Sequence, residues 1–291
     1  MIFAPFEPER PRSERRRFRA IPARLLLPNV VTLLALCAGL TAIRLAAEQK
    51  FEWALYAVVF AALLDGIDGR LARMLKGTSR FGAELDSLAD FVNFGVAPAL
   101  ILYQWSLSEF RSVGWIASLV FALCAALRLA RFNVAIDDPN RPAWQANYFR
   151  GIPAPAGAIT VLLPIYVAML GWFNTTPVLV LLYTVGIAAL MVSQLPVFSG
   201  KRVGKRVPPE MVLPVFVLVV LFFATLIAYP WYVLAFGTML YLACLPLSLM
   251  SFRENERRTA PPSSVATDDD SPAIAPTGSA SEDSERPSRL N

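Results

Sequence analysis

A chain of 291 residues that is 56% hydrophobic and 17% charged holds more apolar mass than one soluble core uses, so most of it faces lipid. It contains no histidine, which excludes a Ser-His-Asp triad, a His-ligated zinc site and a phosphohistidine intermediate. The net charge of +5 matters through where its cations lie, and no nucleic-acid partner is expected.

Residues 1–24 carry seven arginines, and the run opening at Leu25 is too long for a signal-peptide core and has no small-residue cleavage site. This segment reads as an uncleaved basic arm, either lying on anionic headgroups or acting as a plain topology signal. Apolar runs, measured against the roughly 20 residues that cross a bilayer, then predict eight helices. They are Leu25–Ala46, Trp53–Leu75, Gly82–Trp105, Val113–Phe132, Ile152–Trp172, Pro177–Leu195, Met211–Tyr229 and Trp231–Ser251. Of the 27 Lys and Arg residues, only Arg44, Lys50 and Arg111 fall outside the segments that this count places in the cytoplasm. Both termini are therefore expected on the cytoplasmic side of the inner membrane. Cys37, Cys124 and Cys244 sit in separate apolar runs without paired spacing, and are expected as buried small apolar residues. From Thr259 to Asn291 the chain is rich in Ser, Pro, Ala, Asp and Glu, the composition of a disordered tail.

The informative stretch is residues 61–100, AALLDGIDGRLARMLKGTSRFGAELDSLADFVNFGVAPAL. It places Asp65, Asp68, Asp86 and Asp90 at the ends of two apolar helices, where a lone aspartate costs up to roughly 2.5–3.5 kcal/mol. Asp65 and Asp68 are three apart and Asp86 and Asp90 four apart, so each pair shares a helix face. A short cytoplasmic turn around residues 76–80 would make the helices antiparallel and bring the four carboxylates together. Oxygen-only ligands favour hard cations, and two Mg²⁺ or Mn²⁺ ions bridged by shared carboxylates suit displacement at phosphorus. Gly69 leaves bare backbone beside the site, Ala72 repeats the opening, and Arg73 lies within reach of phosphate oxygens. Gly82 permits close packing of the next helix. The alternative occupants of the carboxylates are Arg70, Arg73 and Arg80 in a structural ion-pair network, or a cation translocated by a channel or transporter.

Residues 65–90 read D-x2-D-G-x2-A-R-x8-G-x3-D-x3-D, and so resemble the signature of the CDP-alcohol phosphatidyltransferases at every fixed position. The resemblance implies an all-α integral membrane fold with a six-helix core, commonly homodimeric, whose site opens to the cytoplasm. The last two helices lie outside that core. It also implies that Asp65, Asp68 and Asp86 are metal ligands, that Gly69, Ala72 and Arg73 line the nucleotide site, and that Asp90 is the general base while also touching a metal. The segments LDSLADFVNFGVAPALILY, ALRLARFNV and YFRGIPAPAGA further resemble the integral-membrane bacterial phosphatidylserine synthases. That likeness implies CDP-diacylglycerol and L-serine as substrates, with glycerol 3-phosphate or inositol as alternative acceptors.

Arg128 and Arg131, three apart on the fourth span with Asn133 close by, are candidates to hold an anionic headgroup or diphosphate. Arg150, before a proline-rich entry expected to leave backbone groups free, is a further acceptor candidate. The alternative is that these arginines are positive-inside anchors. Asn29 and Thr32 on the first helix either reach the nucleotide or make interhelical hydrogen bonds. Lys201 resembles a basic position that contacts the lipid phosphate. The expected organisation is an arm over 1–24, a catalytic domain over 25–206, two further helices over 207–251 and a tail over 252–291.

Overall fold

The computed structural model describes residues 23–75, 79–136, 148–193, 195–198 and 209–259. The chain falls into a unit of residues 1–252 and a second of residues 253–291, whose described part is the end of the last helix. The basic arm up to residue 22, Lys76, Lys201 and the acidic tail beyond Thr259 lie outside the described residues.

Helices dominate. They are α1 (Ala23–Ala47), α2 (Phe51–Met74), α3 (Arg80–Phe91), a π turn (Val92–Val96), α4 (Ala97–Trp105) and α5 (Ser112–Ile136). Then come β1 (Tyr148–Arg150), α6 (Ala154–Val161), α7 (Leu163–Met169), α8 (Pro177–Val192), β2 (Pro196–Phe198), α9 (Pro209–Ala228) and α10 (Pro230–Thr259). Among the described residues five stretches are long and apolar enough to cross a bilayer: Leu26–Ala47, Arg80–Trp105, Ser112–Ala135, Glu210–Ala228 and Pro230–Ser248. The chain is a multi-pass membrane protein.

Three of the eight predicted spans fall short of that criterion. α2 is long enough but carries charged residues at its end. The span expected over residues 152–172 is two short helices that break at Leu162, because Pro164 has no N–H to continue the ladder. α8 stops at Val192, where Ser193 turns extended and leads into β2.

α1 and α2 form a tight hairpin because Ala42 and Ala46 on one, and Ala54 and Ala61 on the other, are wholly buried and let the backbones approach. Its turn carries Gln49 at φ 61° and Glu48, which accepts from Arg44 Nε and Lys50 Nζ, both at 2.9 Å. The hydrogen bonds from Lys50 and Arg44 hold the exposed Glu48 carboxyl below the usual carboxylate range. The core proper is built from Phe94, Ile101, Leu102, Phe121, Ile165 and Tyr166, all fully buried. Outward faces of α1, α5 and α8 are lined with exposed leucines and valines, as lipid-facing helices are. Cys37 belongs to such a face. It is exposed and Cys124 and Cys244 are half-buried, so the expectation of three buried cysteines is corrected: each lies toward a helix flank rather than a core stripe.

β1 and β2 pair antiparallel with Phe149 opposite Val197 and Arg150 opposite Pro196. Gly151, at φ 74°, follows the strand, and a Cβ there would run into the Met191 carbonyl. The Gly151 N–H donates to the Leu195 carbonyl at 2.8 Å and the Ile152 N–H to that of Leu190 at 3.4 Å. The backbone at this entry is therefore engaged, not free as the proline-rich sequence suggests.

Candidate active site

The site grows from the antiparallel arrangement of α2 and α3. Ser79 caps α3 in an extended conformation, its hydroxyl accepting from the Gly82 N–H at 3.0 Å. On its other side Gly82 receives Asn29 of α1, whose Oδ1 would stand 2.8 Å from a Cβ at that position. Gly82 thus lets α1 and α3 touch where α3 begins.

With the helices so placed, Asp65, Asp68 and Asp86 each bring one carboxylate oxygen within 4.8 Å of the other two. Asp68 is almost fully buried and accepts from the Thr32 hydroxyl at 2.8 Å, across from α1. Thr32 also lies 3.1 Å from the Pro28 carbonyl. Thr32 therefore stands as the interhelical hydrogen-bonding alternative has it, and it orients one carboxylate of the group. Asp90 sits one turn deeper, within side-chain hydrogen-bonding reach of Asp65, and its Oδ1 is buried without a partner.

These donors fit a hard divalent cation. Three carboxylates that close repel one another, and among the described residues the ion pairs are Arg44–Glu48 and Lys50–Glu48, far along the hairpin. Among the described residues no arginine pairs with the group, Arg70, Arg73 and Arg80 included, which speaks against the ion-pair network as its explanation. The carboxylates also gather at one place instead of spacing out along a path, unlike a translocation route.

The surroundings are open beside Gly66 and Gly69. Gly69 and Gly66 would each carry a Cβ that meets nothing within 4 Å. Ala72 is half-exposed, and Arg73 is exposed with Nε donating to the Gly69 carbonyl at 3.0 Å. On the α5 side the two arginines part company. Arg128 is 7% exposed, with its guanidinium 5.2 Å from the Phe132 ring, and within electrostatic reach of Asp90. Arg131 is exposed and donates to the Val192 carbonyl at 2.7 Å, tying α5 to the end of α8. Asn133 donates to Ser87 Oγ at 2.9 Å and braces α5 against α3. Arg150 lies in β1, with its side chain outside the described residues.

Two features had escaped the sequence reading. Immediately after Asp90 the helix widens into the π turn, which buries Asn93 with its Oδ1 unpartnered and wedges it over Gly39 of α1. On α10, Thr238 and Tyr241 turn buried, unpartnered hydroxyls inward. A lone amide in an apolar span, and hydroxyls at helical spacing in another, were the available signals.

The family model described as CDP-alcohol phosphatidyltransferase matches residues 25–194. The chain belongs to the CDP-alcohol phosphatidyltransferase family. As a family member it is a transferase. A second model, CDP-alcohol phosphatidyltransferase 2, matches residues 210–246, over α9 and the first part of α10, beyond the stretch the first model covers. Among curated proteins, the chain is 40% identical over 247 residues to a CDP-diacylglycerol–serine O-phosphatidyltransferase of Mycobacterium leprae, covering 84% of this chain and 79% of that one. Proteins of the same name from Mycobacterium tuberculosis and Helicobacter pylori are 39% and 36% identical, covering 78% and 75% of this chain and 79% and 88% of theirs.

Proposed function

We propose that this chain moves the phosphatidyl group of CDP-diacylglycerol onto the hydroxyl of L-serine, giving phosphatidylserine and CMP. The observation that carries the reading is the convergence of Asp65, Asp68 and Asp86, with a nearly buried Arg128 in electrostatic reach of Asp90 and in no ion pair among the described residues. The names of the curated relatives agree with it.

Asp65, Asp68 and Asp86 would hold the divalent ions, Mg²⁺ or Mn²⁺, with Asp90 at their inner edge. Ions held there would supply neutralisation of the charge on the diphosphate as CMP leaves. Thr32 fixes the Asp68 carboxylate from α1, and Asn29 sets where α3 starts. The empty space over Gly69 and half-exposed Ala72 admits the cytidine diphosphate, with Arg73 near its phosphates, while Lys201, expected at the lipid phosphate, lies outside the described residues. Asp90 accepts the proton of the serine hydroxyl, which attacks the phosphorus next to diacylglycerol in line. Arg128 receives the serine carboxylate, since a guanidinium buried in a membrane domain without an ion pair or hydrogen bond among the described residues calls for an anion. Arg131 and Asn133 brace α5, and Arg150 lies at the end of β1 next to the entry of α6. The domain organisation follows: catalytic helices over 25–206, two further helices over 207–251, and both termini with the site at the cytoplasmic face of the inner membrane.

Purified protein supplied with CDP-diacylglycerol, Mn²⁺ and a panel of alcohols tests the acceptor. Serine is expected to support CMP release, whereas glycerol 3-phosphate and inositol leave it at background. Release with either of those and not with serine would overturn serine as acceptor while leaving the reaction class intact.

A further inference from the structure

The rod formed by α3 and α4 has two inward faces that an unbroken helix would not align. Asp86 and Asp90 mark the first, on α3, and the buried residues Ala97, Pro98, Ala99, Ile101 and Leu102 mark the second, on α4. An α-helix advances about 100° per residue. Continued at that rate from Asp86 and Asp90, the buried positions of α4 would be centred roughly a quarter turn away from the carboxylates. Either face could then point inward, but not both.

The π turn removes the mismatch. The Ala97 N–H donates to the Val92 carbonyl, five residues back instead of four, so Val92–Val96 holds one residue more than an α-helical turn. One residue is about the missing quarter turn. Neighbouring helices grip the turn on two sides. Asn93, 1% exposed, lies over Gly39 of α1, and a Cβ on Gly95 would stand 3.1 Å from the Ala125 side chain of α5. The grip has a cost, since the Asn93 amide oxygen is buried without a partner. π turns are rare and gather at functional sites, and this one begins two residues after Asp90.

We propose that the π turn is the positioning element of the carboxylate site: its one extra residue turns α3 so that Asp86 and Asp90 face Asp65 and Asp68 while α4 stays seated in the core. The turn acts through Asp86 and Asp90 and makes no contact of its own with the ion. The proposal rests on those carboxylates holding a divalent cation.

The test is a phase experiment on the full-length protein in detergent, read by Mn²⁺ affinity from electron paramagnetic resonance. Deleting Val92 and inserting an alanine after Val96 each shift the phase by one residue, in opposite directions. Each is expected to weaken Mn²⁺ binding at least about tenfold, the lower end of what a misplaced ligand shell costs. The two changes together restore the count and are expected to bring affinity back to within about twofold of wild type, as is Val92→Ala, which keeps the count. Asp86→Asn is expected to weaken binding in the wild type and to add nothing in the Val92 deletion, an outcome that lost packing alone would not give. Should either single change unfold the chain, the combined variant still decides. A folded single-change variant that binds Mn²⁺ as the wild type does, a combined variant that fails to recover, or Asp86→Asn acting in full in the deletion would overturn the proposal alone. A wild-type protein that binds no Mn²⁺ would overturn the metal reading and this proposal together.

Discussion

Asp65, Asp68 and Asp86 are chemically identical side chains whose setting makes them a unit: each alone costs energy in a membrane helix, and together they are arranged as the ligands of a divalent cation would be. Asp86→Asn keeps the shape and removes one charge. CMP release is expected to fall at least about a thousandfold, because several kcal/mol of charge stabilisation at about 1.4 kcal/mol per decade has that size. Activity within tenfold of wild type would show that Asp86 holds no metal. Gly69 tests the opposite property, empty space. A side chain there meets no protein atom, so Gly69→Leu is expected to leave the thermal midpoint in detergent unchanged while raising KM for CDP-diacylglycerol. An unaltered KM would place the nucleotide elsewhere. Asp65, Asp68, Asp86, Asp90 and Gly69 were legible because their spacing of three and four residues is helical geometry written in sequence. Thr32 was legible only as a pair of alternatives, because a hydroxyl on one helix does not say which helix faces it. Nothing local in the sequence could show that Arg128 is buried while Arg131, three residues on, is exposed and bonded to the end of α8.

At the scale of elements, the π turn joins Asp90 to the core. α3 and α4 form one rod, and its widened stretch over Val92–Val96 pushes Asn93 onto α1 at Gly39, where a Cβ would overlap the amide oxygen. Gly39→Ala is therefore expected to destabilise the fold by about 1–3 kcal/mol, the usual penalty for overpacking, read as a lower midpoint of thermal inactivation. A midpoint equal to wild type would mean that α1 and the π turn do not pack this way. Helix existence was legible from apolar runs, but helix continuity was not. Pro28, Pro214 and Pro246 lie inside helices, whereas Pro164 accompanies a break at Leu162. Whether a proline interrupts a rod depends on how neighbouring helices satisfy the freed carbonyl, which is tertiary information.

Across the whole molecule, α9 stands exposed along its length and α10 turns a polar face inward, although both read as apolar spans in sequence. Hydropathy measures a helix's average, in which the two or three hydroxyls that α10 turns inward do not register. Charge placement predicts an orientation: the ends of α2 and α5 are expected inside, and the turn between α4 and α5 outside. In a variant freed of its native cysteines, a cysteine at Met74 is expected to react with impermeant reagents only from the cytoplasmic side, and one at Glu109 only from the other. The reverse pattern would invert the topology and place the aspartates outside.

Serine-dependent, metal-dependent release of CMP at the α2–α3 carboxylates is the activity proposed for the chain. The direct measurement is CMP and lipid product formed by metal-stripped enzyme given CDP-diacylglycerol and labelled serine, before and after Mn²⁺ is restored. The expected result is no product without metal, and, with it, CMP and labelled phosphatidylserine in equal amounts. Product formed at full rate in the stripped enzyme, or CMP released with no label entering lipid, would contradict it.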